Sequence, residues 1–178
     1  MNFVGEQKAN FFLFDKTALP RFPRGCLSEI CGPPSSGRTS LALAALASAI
    51  AAGEFCAYVD AHDVFDPASA EAAGVDLSQL LWVRCGGNVE HALRCADLLV
   101  QAGGFGMIVL DLAEARPEIV RRIPLSVWFR FRLALKGAPT VLAVLHQQPA
   151  AKSAAALVLE MRHDSAAPRV LRALRVPA

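Results

Sequence analysis

At 178 residues, the chain is long enough for one domain with a sizeable core. With 54% hydrophobic and 19% charged residues it falls in the globular range, away from disordered or fibrous compositions. Its net charge of +2 hides a split: residues 1–115 hold 7 Lys/Arg and 13 Asp/Glu, residues 116–178 hold 11 and 3. The second part is therefore either a face for an anionic partner or a solvated surface balanced by the first. The longest nearly uncharged run, Thr39 to Gly53, falls short of the roughly 20 apolar residues of a membrane span. Glu6, Lys8 and Asp15 break up Met1 to Ala18, unlike a secretory signal. The expectation is a soluble, cytoplasmic protein without a membrane partner.

Residues 1–23 lack clear periodicity, and Phe11, Phe12 and Phe14 call for burial, so this stretch is expected to be an edge strand or a docking segment. Residues 24–178 are expected to form one core domain. "CLSEICG" is a short apolar run stopped by Gly32 and two prolines, which predicts a strand. The Ala- and Leu-rich run Thr39 to Ala52 predicts a helix ended by Gly53. "EFCAYVD" predicts a second strand, and "DPASAEAAG" a short helix with Asp66 as cap and Pro67 at its first position. A third strand follows at "QLLWVRC", then a helix with Leu93, Ala96, Leu99 and Val100 on one face. "FGMIVLDL" has the continuous apolar profile of a parallel strand buried on both faces.

The stretch "LSVWFRFRLALKGAP" fits helix or strand by composition; Gly137 and Pro139 at its end favour a helix. "TVLAVLHQ" is the next strand, and "ALVLEMRH" with "RVLRALRV" predicts a terminal antiparallel pair. Strands alternating with helices make this an α/β protein, a mostly parallel sheet flanked by helices. Ligands then belong at the carboxyl ends of the strands. Cys26, Cys31, Cys56, Cys85 and Cys95 form no C-x-x-C pair, which argues against a zinc site or a disulfide framework.

"ICGPPSSGRTSLAL" differs by one residue from the phosphate-binding loop G-x-x-x-x-G-K-[ST]. Such a loop converges backbone N–H groups on phosphate oxygens at the positive end of a helix. Gly32, Ser35, Ser36 and Gly37 suit that cradle, followed by Thr39 and Ser40; Arg38 stands in place of the lysine. Thr39 is placed to hold Mg²⁺ through its hydroxyl, with Asp111 at the end of "MIVLD" as the second metal-side group.

The run from "FPRGCLSEI" through "AYVDA", "FDP", "GVDLSQLL" and "MIVLD", resuming at "VLHQQ", resembles the ATP-binding core of the RecA recombinase family. "FPRGCLSEI" with "DLSQLLWVR" is most similar to the ImuA-type RecA-like accessory proteins of bacterial mutagenesis cassettes. That resemblance implies a RecA-like P-loop core, with ATP and Mg²⁺ on Gly32 and Ser35 through Ser40, Asp66 beside adenine, and Gln147 sensing phosphate. It also exposes departures. His62, with Asp63 beside it, stands where the family has its water-activating glutamate, and Ser69 falls near the family's adenine-stacking tyrosine. Arg38 either reaches a phosphate or folds across the cradle.

Both DNA-binding loops of the family are represented by shorter segments, "LAEARPEIVRRIPLS" and "QPAAKSAAA". Arg116, Arg121, Arg122, Arg130 and Arg132, interleaved with Trp128, Phe129 and Phe131, form either a weak single-stranded DNA platform or a solvated helix over core aromatics. Arg169, Arg172 and Arg175 extend the basic region. The expected function is an accessory role in the DNA-damage (SOS) response and translesion synthesis. Its expected partners are an error-prone polymerase-like protein, RecA, or both, with ATP and Mg²⁺ binding weak or absent. The alternative is a slow RecA-like ATPase in DNA repair that binds single-stranded DNA, with His62 or Asp63 as base.

Overall fold

In the computed structural model, residues 20–164 and 167–175 are described; most of the amino-terminal segment, with Phe11, Phe12 and Phe14, lies outside them. Strands β1 (Leu27–Cys31), β2 (Cys56–Asp60), β3 (Leu80–Arg84), β4 (Met107–Asp111), β5 (Val141–His146), β6 (Leu157–Asp164) and β7 (Ala167–Arg175) form one sheet in the order β3-β2-β4-β5-β1-β6-β7. Every pairing is parallel except β6 with β7. Helices α1 (Arg38–Ala51), α2 (Pro67–Ala72), α3 (Val89–Ala102), α4 (Pro117–Arg122) and α5 (Leu125–Leu135) flank it.

The alternation of side chains along each strand sorts the core into two layers. Ile30, Tyr58, Val109 and Leu145 meet α1 and α2 on one face. Leu27, Val59, Leu110 and Val144 meet α3, α4 and α5 on the other. Every residue of β1, β2, β4 and β5 is buried, as the continuous apolar runs require. Within α5, Trp128, Phe131 and Leu135 lie on the core side with no exposed surface. Each large apolar side chain buried this way contributes roughly 1.5–3 kcal/mol. That burial resolves the helix-or-strand ambiguity, because 128, 131 and 135 share a face only at helical spacing.

Helix α4 was not anticipated. Pro117 at its first position, Glu118 in its first turn and Arg121 and Arg122 in its last suit a helix start and the dipole within six residues. No described helix is long and apolar enough to cross a membrane.

Candidate functional site

The loop between β1 and α1 opens at the carboxyl edge of the sheet. Gly32 allows close packing: a Cβ there would lie 2.5 Å from the Met161 carbonyl oxygen and 2.6 Å from Ser36 Oγ. Ser36 N donates to the Pro33 carbonyl, Ser35 has φ 60°, and Gly37, with φ 92°, caps α1. Ser36 is buried with its hydroxyl unpartnered, whereas Ser35, Thr39 and Ser40 are exposed. Gly32→Ala is expected to cost about 1–3 kcal/mol through overpacking, read as a lower urea midpoint with an unchanged slope.

Arg38 is the departure, and its placement is specific. The side chain is buried, and Nη1 donates to the Gly32 carbonyl oxygen at 2.7 Å. The guanidinium therefore bonds across the loop that carries it, bridging its first glycine and the start of α1.

Two and three strands away from β1, Asp111 and Asp60 sit side by side in register at the ends of β4 and β2. Asp111 accepts the Tyr58 hydroxyl and, at 2.8 Å, the Ala113 amide. Burial pushes its carboxyl above the ordinary range, and Asp60 adds to this, while Tyr58, Ala113 and the Arg38 charge pull it back. Burial likewise raises the Tyr58 hydroxyl. Asp60 organises the following loop, accepting the His62, Val64 and Phe65 amides and Trp82 Nε1. Sequence reading passed over Asp60 and Tyr58; the only available signal was a polar residue at or within a buried strand.

The remaining candidates are dispersed among local duties. His62 Nδ1 is buried without a hydrogen-bond partner. Asp63, at φ 58°, is tied to Arg84 at 3.1 Å and to the Gly86 amide. Asp66 caps α2 through the Ser69 amide and hydroxyl, which hold its carboxyl below the ordinary range. Gln147 donates to the Ala113 carbonyl, linking the end of β5 to the turn after β4. Of the proposed platform, Trp128 and Phe131 are core residues; Phe129 is exposed, Arg130 pairs with Asp97, and Arg121 donates to Gln148.

The fold also assembles a group that spacing did not reveal. Glu29, Cys31 and His146 are buried together at the β1–β5 junction, each offering one ligand atom within 4.8 Å of the others. His146 Nε2 lies 2.9 Å from Glu29 Oε1 and 3.4 Å from Cys31 Sγ. The same carboxylate oxygen accepts the Ala150 and Ala151 amides, both at 2.8 Å. With that oxygen already taking three donors, the arrangement is a polar bolt. It fastens the loop strand to the segment after Gln147. Burial and neighbouring carboxylates push the Cys31 thiol up, so it stays protonated.

Comparison with known proteins places this geometry. Residues 13–119 match the RecA N-terminal domain. Protein RecA of Cutibacterium acnes is 47% identical over 93 residues, covering 52% of this chain and 26% of that protein. Protein RecA of Deinococcus radiodurans is 45% identical over 93 residues, 52% of this chain and 25% of its own. This chain thus spans about a quarter of the length of these relatives. A crystal structure of the RadB recombinase aligns with a TM-score of 0.66 at 20% identity, covering 88% of this chain and 84% of that one. At that identity the likeness establishes the α/β fold with its mostly parallel sheet.

Proposed function

This chain belongs to the RecA N-terminal domain family, and from that premise we propose that it serves DNA repair as a RecA-like accessory protein whose ATP site no longer drives hydrolysis. The observation that carries this reading is the 2.7 Å bond from Arg38 Nη1 to the Gly32 carbonyl oxygen. A guanidinium placed there competes with the phosphate that the loop's shape suits. Arginine, longer and forked, does not reproduce a lysine's compact reach between phosphates. The other hydrolytic positions agree. His62 and Asp63 stand where a water-activating carboxylate is needed, and Asp63 is held by Arg84. Ser69, bonded to Asp66, offers no ring for adenine to stack on. Water positioning, a base and charge neutralisation act together in phosphoryl transfer. The residues present therefore do not fit ATP and Mg²⁺ turnover, and binding is weak or absent.

The chain's work is then adaptation between proteins in damage-induced mutagenesis, the ImuA-type role. An error-prone polymerase-like protein, RecA, or both are its proposed partners. Phosphate release tests the reading. Wild-type protein with Mg²⁺ and ATP is expected to release phosphate no faster than Asp111→Asn or Thr39→Ala. A wild-type rate that both substitutions abolish would sink the accessory reading in favour of a slow ATPase.

A further inference from the structure

At the amino-terminal edge of the sheet, opposite the phosphate loop, a groove of about 840 Å³ runs between the start of β1, the carboxyl end of α5 and the turn before β6. Its floor is apolar, with Leu27, Ala154 and Ala155 buried in it. One wall is the outer face of α5, where Phe129 and Leu133 line the groove and are 42% and 73% exposed; Leu125, one turn earlier on the same face and outside the groove, is 40% exposed. Three large apolar side chains in line on a solvent face is the pattern of a helix that meets another element. Arg24, Arg132 and Lys136 also line the groove, and no carboxylate does. Among the described residues, neither Arg132 nor Lys136 has an ion-pair partner; Arg24 is paired with Glu54, and Arg132 donates to the Ser153 carbonyl.

We propose that this groove docks an acidic amphipathic helix of a partner protein, its apolar side against Phe129 and Leu133 and its carboxylates against Arg132 and Lys136. The inference deepens the accessory reading and rests on it, since it supplies the surface through which an adaptor acts. Charge complementarity selects the occupant. An apolar strip would suit any amphipathic helix, whereas a border on which Arg132 and Lys136 have no carboxylate partner among the described residues favours one flanked by Glu or Asp.

The test uses a labelled amphipathic peptide of about five helical turns, with leucines on one side and glutamates flanking them, and a twin carrying lysines instead. Anisotropy should show saturable binding of the glutamate peptide, weakened at least about tenfold by Leu133→Asp and by Lys136→Glu, and little binding of the twin. Both changes lie on exposed positions, so thermal unfolding should stay near wild type and separate lost docking from lost folding. The proposal is overturned by no binding of the glutamate peptide, or by binding indifferent to both substitutions. It is equally overturned if Phe129→Ala abolishes oligo-dT binding while the peptide fails to bind. Sedimentation showing a dimer that Leu133→Asp dissociates would also overturn it, by making a second copy the occupant. Because the groove and the phosphate loop lie at opposite ends of the strands, phosphate release and peptide binding fail independently. Each outcome identifies which reading has fallen.

Discussion

Glu29→Ala is expected to lower the free energy of unfolding by about 3–5 kcal/mol, because it leaves three buried donors without their acceptor at roughly 1–3 kcal/mol each. Glu29 has no exposed surface, and its Oε1 takes His146 Nε2 at 2.9 Å and two backbone amides at 2.8 Å. Truncation leaves those three donors inside the protein with no acceptor. Glu29→Gln keeps a carbonyl oxygen for the amides and should cost about half as much, since neutral hydrogen bonds are the weaker kind. Urea denaturation measures both.

The same residue sets an acid limb. Burial alone would raise the Glu29 carboxyl, but His146 and the Ala150 and Ala151 amides outweigh it and hold it below its ordinary value of 4.5. A carboxyl depressed in the folded state stabilises fully above its unfolded value, and that contribution disappears as pH falls through the folded value. Asp111 acts in the opposite sense: its raised carboxyl opposes folding near neutrality and is relieved on acidification. Stability below pH 4.5 should therefore fall in wild type more steeply than in Glu29→Gln. A parallel decline would remove Glu29 as the cause.

Arg38→Lys is expected to raise affinity for Mg·ATP at least about tenfold, roughly 1.4 kcal/mol. The Gly32 carbonyl loses its guanidinium donor, while Ser35 and Gly37 retain the left-handed backbone that shapes the cradle. A lysine then supplies a point charge from the position where the P-loop motif carries one. Calorimetry on the variant and the parent reads the difference directly. No gain would mean that Pro33 and Pro34 hold the loop closed whichever cation follows Gly37.

Much of this architecture was legible because burial on both faces leaves a plain mark. The runs through Ile30, Val59, Leu110 and Val144 read as parallel strands, and each is. Asp66 and Pro67 identified the start of α2 from local chemistry alone. Helix α4 escaped because its six residues are too short for a periodic signal and lie within a segment read as a shortened loop. The change at Arg38 was visible in the motif. The direction of its guanidinium was not, since that depends on side-chain torsions and on the carbonyl of Gly32. The bolt of Glu29, Cys31 and His146 was beyond reach for another reason. Cys31 and His146 are 115 positions apart and meet only because β1 lies beside β5. Spacing rules for metal or catalytic clusters are blind to such a meeting.

The central claim, that Arg38 holds the place a phosphate would take, is tested most directly by calorimetric titration of the unmodified chain with Mg·ATP. The account predicts a dissociation constant weaker than about 1 mM. A micromolar constant that Arg38→Ala destroys would contradict it, because the guanidinium would then be a ligand of the nucleotide instead of its competitor.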